Sequence, residues 1–149
     1  MPYFICPNCQ NRSIDADGRH GLLDQAAACE RCGFGFLFEL MDDYYPGPNV
    51  GFVVCDRDAR ILAVGKGVFE LTGYREPELI GREVRDALGL AVDDVAQHPV
   101  DVAREWGVRR LGERLRLRTR AGIDKSVVAD IFPAYDDDGG LLLGLAART

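Results

Sequence analysis

Four cysteines stand in two pairs, "CPNC" at Cys6 and Cys9 and "CERC" at Cys29 and Cys32, with 19 residues between the pairs. A CxxC turn is tight enough to aim both sulfurs at one centre. Two such turns supply the tetrahedral four-sulfur shell that zinc prefers. Four thiolates around Zn²⁺ sum to a charge of −2, which nearby backbone N–H groups help offset. Gly33, directly after the second pair, suits a turn that brings such amides toward the sulfurs. Disulfides and a thioredoxin-like redox pair are the weaker alternatives. The first is rare in a reducing compartment, and the second needs a CxxC opening a helix in an α/β setting that neither pair has. With four protein sulfurs no position is left for water or substrate, so the expected role of the metal is structural. Cys55, among Phe52, Val53 and Val54, has no partner at metal spacing and reads as a small apolar core residue.

The elements that must position these cysteines are short. Before residue 45, "YFICPNC", "RSID" and "FGFLFEL" are brief runs separated by "DADG" and the two CxxC turns. Phe34, Phe36 and Phe38 alternate as on one face of a strand. A module this small cannot bury enough apolar surface to fold alone and needs a staple. These residues resemble the zinc ribbon, whose knuckles read CPxC and CxxCG, over about residues 3–41. The three phenylalanines are too many to cover from within, so they are expected to pack on the rest of the chain or on a partner.

At "DDYYPGPNVG" the composition changes. Prolines bar helix continuation and Gly and Asn accept turns, which predicts a boundary between residues 1–45 and 46–149. Beyond it, "GFVVC" and "RILAV" read as strands around the polar "DRDAR" turn. "KGVFELTG" carries Val68, Phe69 and Leu71 at helical spacing and stops at Gly73. "REPELIGREVRDALGL" reads as two helical turns broken at Gly81. "VDDVAQHPVDVAREWG" reads as a longer helix, with Asp93 or Asp94 near its start and Gly107 at its end. Three strand-like runs close the chain, "RRLGERLRLRT", "KSVVADIFPAY" and "GLLLGLAART". The expected fold class is α+β: a five-stranded antiparallel sheet with helices on one side, preceded by the small four-cysteine module.

This second segment resembles the PAS domain. Asp56, Ile61, Leu71, Thr72, Gly73, Tyr74 and the run Glu78 to Arg82 stand where that family's strand, acidic turn, strand and "TGY…ELIG" pattern wants them. Its closing strands and their glycine turns match as well. The sequence departs from the pattern at Gly65 and Gly67, where the family often has Asn and Ala, which puts in doubt any mechanism using the Asn side chain. Flavin-linking members carry an "NCRFLQ"-like helix. The corresponding "GREVRDALGL" has no cysteine, so the resemblance implies no covalent flavin photochemistry. Haem-binding members often take an axial His from the long helix. His98 lies in that segment, but beside Pro99 it reads as a capping residue. Trp106 reads as a core aromatic. Whether the domain holds a small ligand is left open.

Charge sharpens the partner question. The net charge is −6, and residues 1–45 hold three Arg against seven acids. In "ERLRLRTR", Arg114, Arg116, Arg118 and Arg120 alternate with Leu115, Leu117 and Thr119, so one strand face carries four guanidinium groups. That is either a solvated face or a docking face for an acidic partner, the acidic Cys module with Asp42 and Asp43 among the candidates. No nucleophile–base constellation or phosphate loop is present, no run is long enough to span a membrane, and no secretory signal is visible. The sequence therefore predicts a cytoplasmic, non-enzymatic sensory or adaptor protein. It would act through protein partners and, by the habit of the resembled family, as a homodimer. A transcription-linked nucleic-acid-binding regulator is the alternative, along with a PAS sensor of haem or another small ligand; the acidic charge argues against nucleic acid.

Overall fold

The computed structural model of the chain describes residues 3–10, 12–13, 32, 38–40, 44, 46–47, 49–92, 98–133 and 140–147. Two antiparallel sheets organise them. The smaller has strand order β2-β1-β3, from β1 (Tyr3–Ile5), β2 (Arg12–Ser13) and β3 (Phe38–Leu40). Ile5 of the central strand pairs with Arg12 on one side and Phe38 on the other.

The larger sheet has five strands in the order β5-β4-β8-β7-β6. They are β4 (Gly51–Cys55), β5 (Ile61–Val64), β6 (Arg110–Arg118), β7 (Asp124–Pro133) and β8 (Leu141–Ala147). Among the described residues between β5 and β6 run four short helices: α1 (Val68–Thr72), α2 (Glu76–Leu79), α3 (Val84–Leu88) and α4 (Pro99–Trp106). Helices α1, α3 and α4 each stop on a glycine in the left-handed conformation, Gly73, Gly89 and Gly107, where the chain can turn away without a Cβ penalty. The acidic β4–β5 turn is closed by Asp56, whose Oδ1 accepts from the Asp58 and Arg60 amides at 2.9 and 3.0 Å. Thr72 holds the "TGY" corner: its hydroxyl donates to the Val68 carbonyl at 2.7 Å and accepts from the Tyr74 amide.

All four helices pack on one side of the large sheet. Val68, Leu79, Val84, Leu88, Val100 and Ala103 meet the inward residues Val53, Cys55, Ile61, Leu117, Val127 and Leu143 in one buried cluster. Apolar residues also occupy the opposite face of the sheet. There Phe52, Val54, Ala63, Phe132 and Leu142 form a second buried cluster, and Ile5 of β1 and Tyr44 belong to it. The period of two in β4 and β8 thus serves two cores at once, which explains why all five residues of β4 are buried.

Two residues depart from the core reading of the sequence. Trp106 is 70% exposed rather than buried. It closes α4 one turn past Ala103 and lies off the stripe that Val100 and Ala103 turn inward. Phe69 also faces out, with the Arg75 guanidinium 4.6 Å above its ring, while Val68 takes the inward position on α1. The start expected for the long helix near Asp93 lies outside the described residues; α4 is described from its cap at His98 onward.

Candidate metal centre and its seat on the sheet

Strand β1 delivers Cys6 directly into a tight turn. The Gln10 amide donates back to the Cys6 carbonyl at 2.8 Å, and Gln10 itself has a positive φ of 63°. This wraps residues 6–9 so that the sulfurs of Cys6 and Cys9 face the same way. Cys32 joins them, and the three sulfur atoms lie within 4.8 Å of one another, with Cys6 Sγ and Cys32 Sγ 3.5 Å apart. Zn–S bonds of about 2.3 Å put the sulfurs of a tetrahedral shell about 3.8 Å apart. The observed spacing is thus of the size that one shared ion demands, and well beyond the roughly 2.05 Å of a disulfide. The donor chemistry and the spacing both fit zinc. Burial falls across the cluster: Cys6 is buried, Cys9 partly so and Cys32 exposed. Cys29, the fourth expected ligand, lies outside the described residues.

The turn is not free-standing; it rests on the large sheet. Pro7 lies directly over Gly65, at the end of β5. A Cβ at Gly65 would overlap the Pro7 carbonyl oxygen and stand 2.7 Å from the Pro7 carbonyl carbon. Only glycine lets the two backbones meet there. Asn8 Oδ1 accepts from the Lys66 amide at 3.0 Å, and Asn8 Nδ2 donates to Cys32 Sγ at 3.6 Å. Gln10 Nε2 donates to the Gly47 carbonyl at 3.1 Å. Beside these contacts Ile5 is fully buried against the outer cluster. Tyr44 stacks edge-on against Phe132, 4.6 Å between centroids, and its hydroxyl donates to Asp130 Oδ2 at 2.7 Å. Sequence reasoning registered Gly65 as a departure from a pattern but missed Asn8, Lys66, Ile5 and Tyr44. Their roles depend on partners far away in the chain, 58 positions from Asn8 to Lys66 and 86 from Tyr44 to Asp130, and no local signal marks them.

The arginine stripe takes the alternating form that its period predicts, with Leu115, Leu117 and Thr119 buried and Arg114, Arg116, Arg118 and Arg120 exposed. Its electrostatics are mixed rather than purely cationic. Arg118 Nε lies 3.1 Å from Asp124 Oδ1, and Arg120 Nε lies 2.7 Å from Glu78 Oε2. Glu78 also accepts the Arg75 amide at 2.9 Å. That bond first, and then Arg120, pulls the Glu78 carboxyl below its usual pKa. Arg116 and Arg118 line a hollow of about 370 Å³ together with Arg82, Asp86 and Asp124. Asp42 and Asp43, the suggested acidic counterpart, lie outside the described residues, as do Phe34 and Phe36. Phe38 is placed by its backbone in β3.

His98 caps α4. Its Nδ1 accepts from the Val100 amide at 3.1 Å, which leaves Nε2 to carry the proton and meet the Leu90 carbonyl at 3.3 Å. Both ring nitrogens are engaged, so an axial bond to haem iron from this residue would have to displace one of them. Burial holds its pKa below the ordinary value, against the Leu90 contact, and keeps the ring neutral. Cys55 points into the inner core. Burial, and then the charges of Asp56 and Glu83, drive its pKa far above that of a free thiol, which makes it a packing residue and a poor nucleophile. In the "GREVRDALGL" stretch, α3 turns Val84, Ala87 and Leu88 inward and offers no thiol.

No protein-family model and no curated protein sequence matches the chain. Solved structures do match. A PAS domain of a Colwellia psychrerythraea protein is similar at 23% identity and a TM-score of 0.56, over 68% of this chain and 87% of that one. A fungal LOV-domain photoreceptor is similar at 23% identity and a TM-score of 0.53, over 72% and 81%. The light-state dimer of the fungal blue-light photoreceptor Vivid is similar at 15% identity and a TM-score of 0.56, over 72% and 83%. At these identities the likeness establishes architecture alone: the chain has a PAS-like fold, a five-stranded antiparallel sheet with helices on one side.

Proposed function

We propose that this chain is a sensory signal-transduction module in which Cys6, Cys9, Cys29 and Cys32 hold a structural zinc ion. The observation that carries the reading is the convergence of three cysteine sulfurs on an extension docked against the sheet of a PAS-like domain. The fold is one whose solved relatives include a sensor histidine kinase's PAS domain and blue-light photoreceptors, which supports a sensing role. The protein works without catalysis, through protein contacts made in the cytoplasm by a homodimer. The light-state dimer among the similar structures supports dimerisation. Phe34, Phe36, Phe38 and the arginines from Arg114 to Arg120 are the contact residues we assign to partners. What the PAS-like domain senses is a small ligand or the state of its partner, and the acidic net charge of −6 argues against nucleic acid as that partner.

The zinc reading is tested by metal analysis of the purified chain together with its visible spectrum. One zinc per chain and a colourless sample are expected, and Cys6→Ser should lower zinc retention at least about tenfold. A metal-free chain with full folding stability would overturn it.

A further inference from the structure

Asn8 is held at both ends of its carboxamide. One end receives the Lys66 amide, the other donates to the Cys32 sulfur. Lys66 immediately precedes Gly67, the N-cap of α1, and the Gly67 amide is itself taken by the Glu70 carboxylate at 3.0 Å. Gly65 lies one residue earlier, under Pro7. Its amide donates to the Phe52 carbonyl at 2.9 Å, and its carbonyl accepts from Val68, the first residue of α1. The Cys6–Cys9 turn therefore touches the start of α1 by two routes, a side-chain bridge from a sulfur and a direct backbone contact. Cys32 is exposed, and an open cleft lined by Cys9, Cys32, Lys66, Glu70 and Lys125 runs between the cysteines and α1, so solvent reaches Cys9 and Cys32.

We propose that the cysteine cluster and the N-terminus of α1 form one coupled device, in which metal occupancy at the sulfurs sets the order of residues 65–72, with Asn8 as the positioning residue. The proposal rests on the zinc reading and adds a consequence to it. Metal coordination fixes the sulfur positions, and with them the Cys32 Sγ that accepts the Asn8 N–H. A fixed Asn8 holds the Lys66 amide, and a fixed Pro7 holds Gly65. When the metal leaves, both contacts loosen, and a five-residue helix with little stability of its own loses its anchored start. The device would let a metal-binding or thiol-modifying event on the extension be read by the PAS-like domain.

The test uses the full chain. Zinc affinity and stoichiometry come from competition with a chromogenic chelator, and amide hydrogen exchange across residues 65–72 is followed with Zn²⁺ or with chelator. In the native sequence zinc should slow exchange in that segment by at least about tenfold. In Asn8→Ala and in Gly65→Ala zinc should still bind one to one, while the slowing drops below about threefold. Should Gly65→Ala fail to fold, Asn8→Ala, which adds no bulk, decides the matter. Stoichiometric zinc binding without change at residues 65–72 overturns the coupling and leaves the zinc site standing. Full slowing in Asn8→Ala removes Asn8 from the route. Absence of zinc binding defeats both readings, and the chelator competition identifies that case separately.

Discussion

Tyr44 fastens the segment ahead of β4 to the outer face of the large sheet, and Tyr44→Phe isolates the polar half of that attachment. The substitution removes a 2.7 Å hydrogen bond to Asp130 Oδ2 and leaves the ring against Phe132. Asp130 keeps a second donor, because its Oδ1 accepts from the Gly112 amide at 2.8 Å. A hydrogen bond to a charged group contributes about 1.5–3 kcal/mol. The pair is only partly buried and the carboxylate stays half-satisfied, so a value at or just below the bottom of that range applies, about 1–1.5 kcal/mol. Tyr44→Ala also takes the ring out of the cluster with Phe52 and Phe132 and should cost about 3–4 kcal/mol. In urea, with a slope of about 1–3 kcal/mol per molar, the Phe variant should lower the unfolding midpoint by roughly 0.3–1.5 M. A double-mutant cycle with Asp130→Ala should return a coupling of about 1 kcal/mol. A coupling of zero, with a Tyr44→Phe loss below about 0.3 kcal/mol, would show that Tyr44 does not hold this segment down.

Cys55 should resist iodoacetamide in the folded protein and react once urea unfolds it, as mass spectrometry of the labelled peptide would show; labelling at native rates comparable to a free thiol contradicts its burial. For His98 the folded pKa lies below the ordinary 6.5. As pH falls below that value the unfolded chain takes up the proton first, so stability is full above about pH 6.5 and declines below it. His98→Asn keeps an N-cap acceptor and should flatten this dependence below about pH 6.5. Identical pH slopes in the two proteins, read from urea midpoints, would refute the assignment.

Most of the large sheet was legible because its signals are local. Alternation in "RLRLRT" marks β6, Asp56 and the glycines at 73 and 107 mark turns and helix ends, and proline marks the start of α4 at His98. Misreadings fell on residues whose position within a helix decides burial. Trp106 and Phe69 are large and apolar, yet a helix of five or eight residues turns only a few side chains inward, and these two fall outside that stripe. At the candidate metal site the two CxxC spacings singled out Cys6, Cys9, Cys29 and Cys32. The described residues bring Cys6, Cys9 and Cys32 together.

By itself, the sequence determined which residues can bind metal, where strands and helices run, and that the sheet must have an apolar inner face. Those properties follow from residue type and from periods of two and about 3.6, which any short window contains. Only the tertiary structure decided that the outer face of the sheet is a second core, that Ile5 and Tyr44 close it, and that Gly65 is small because Pro7 lies on it. Each of these is a meeting of segments distant in the chain, and steric fit between two backbones leaves no periodic trace in either one.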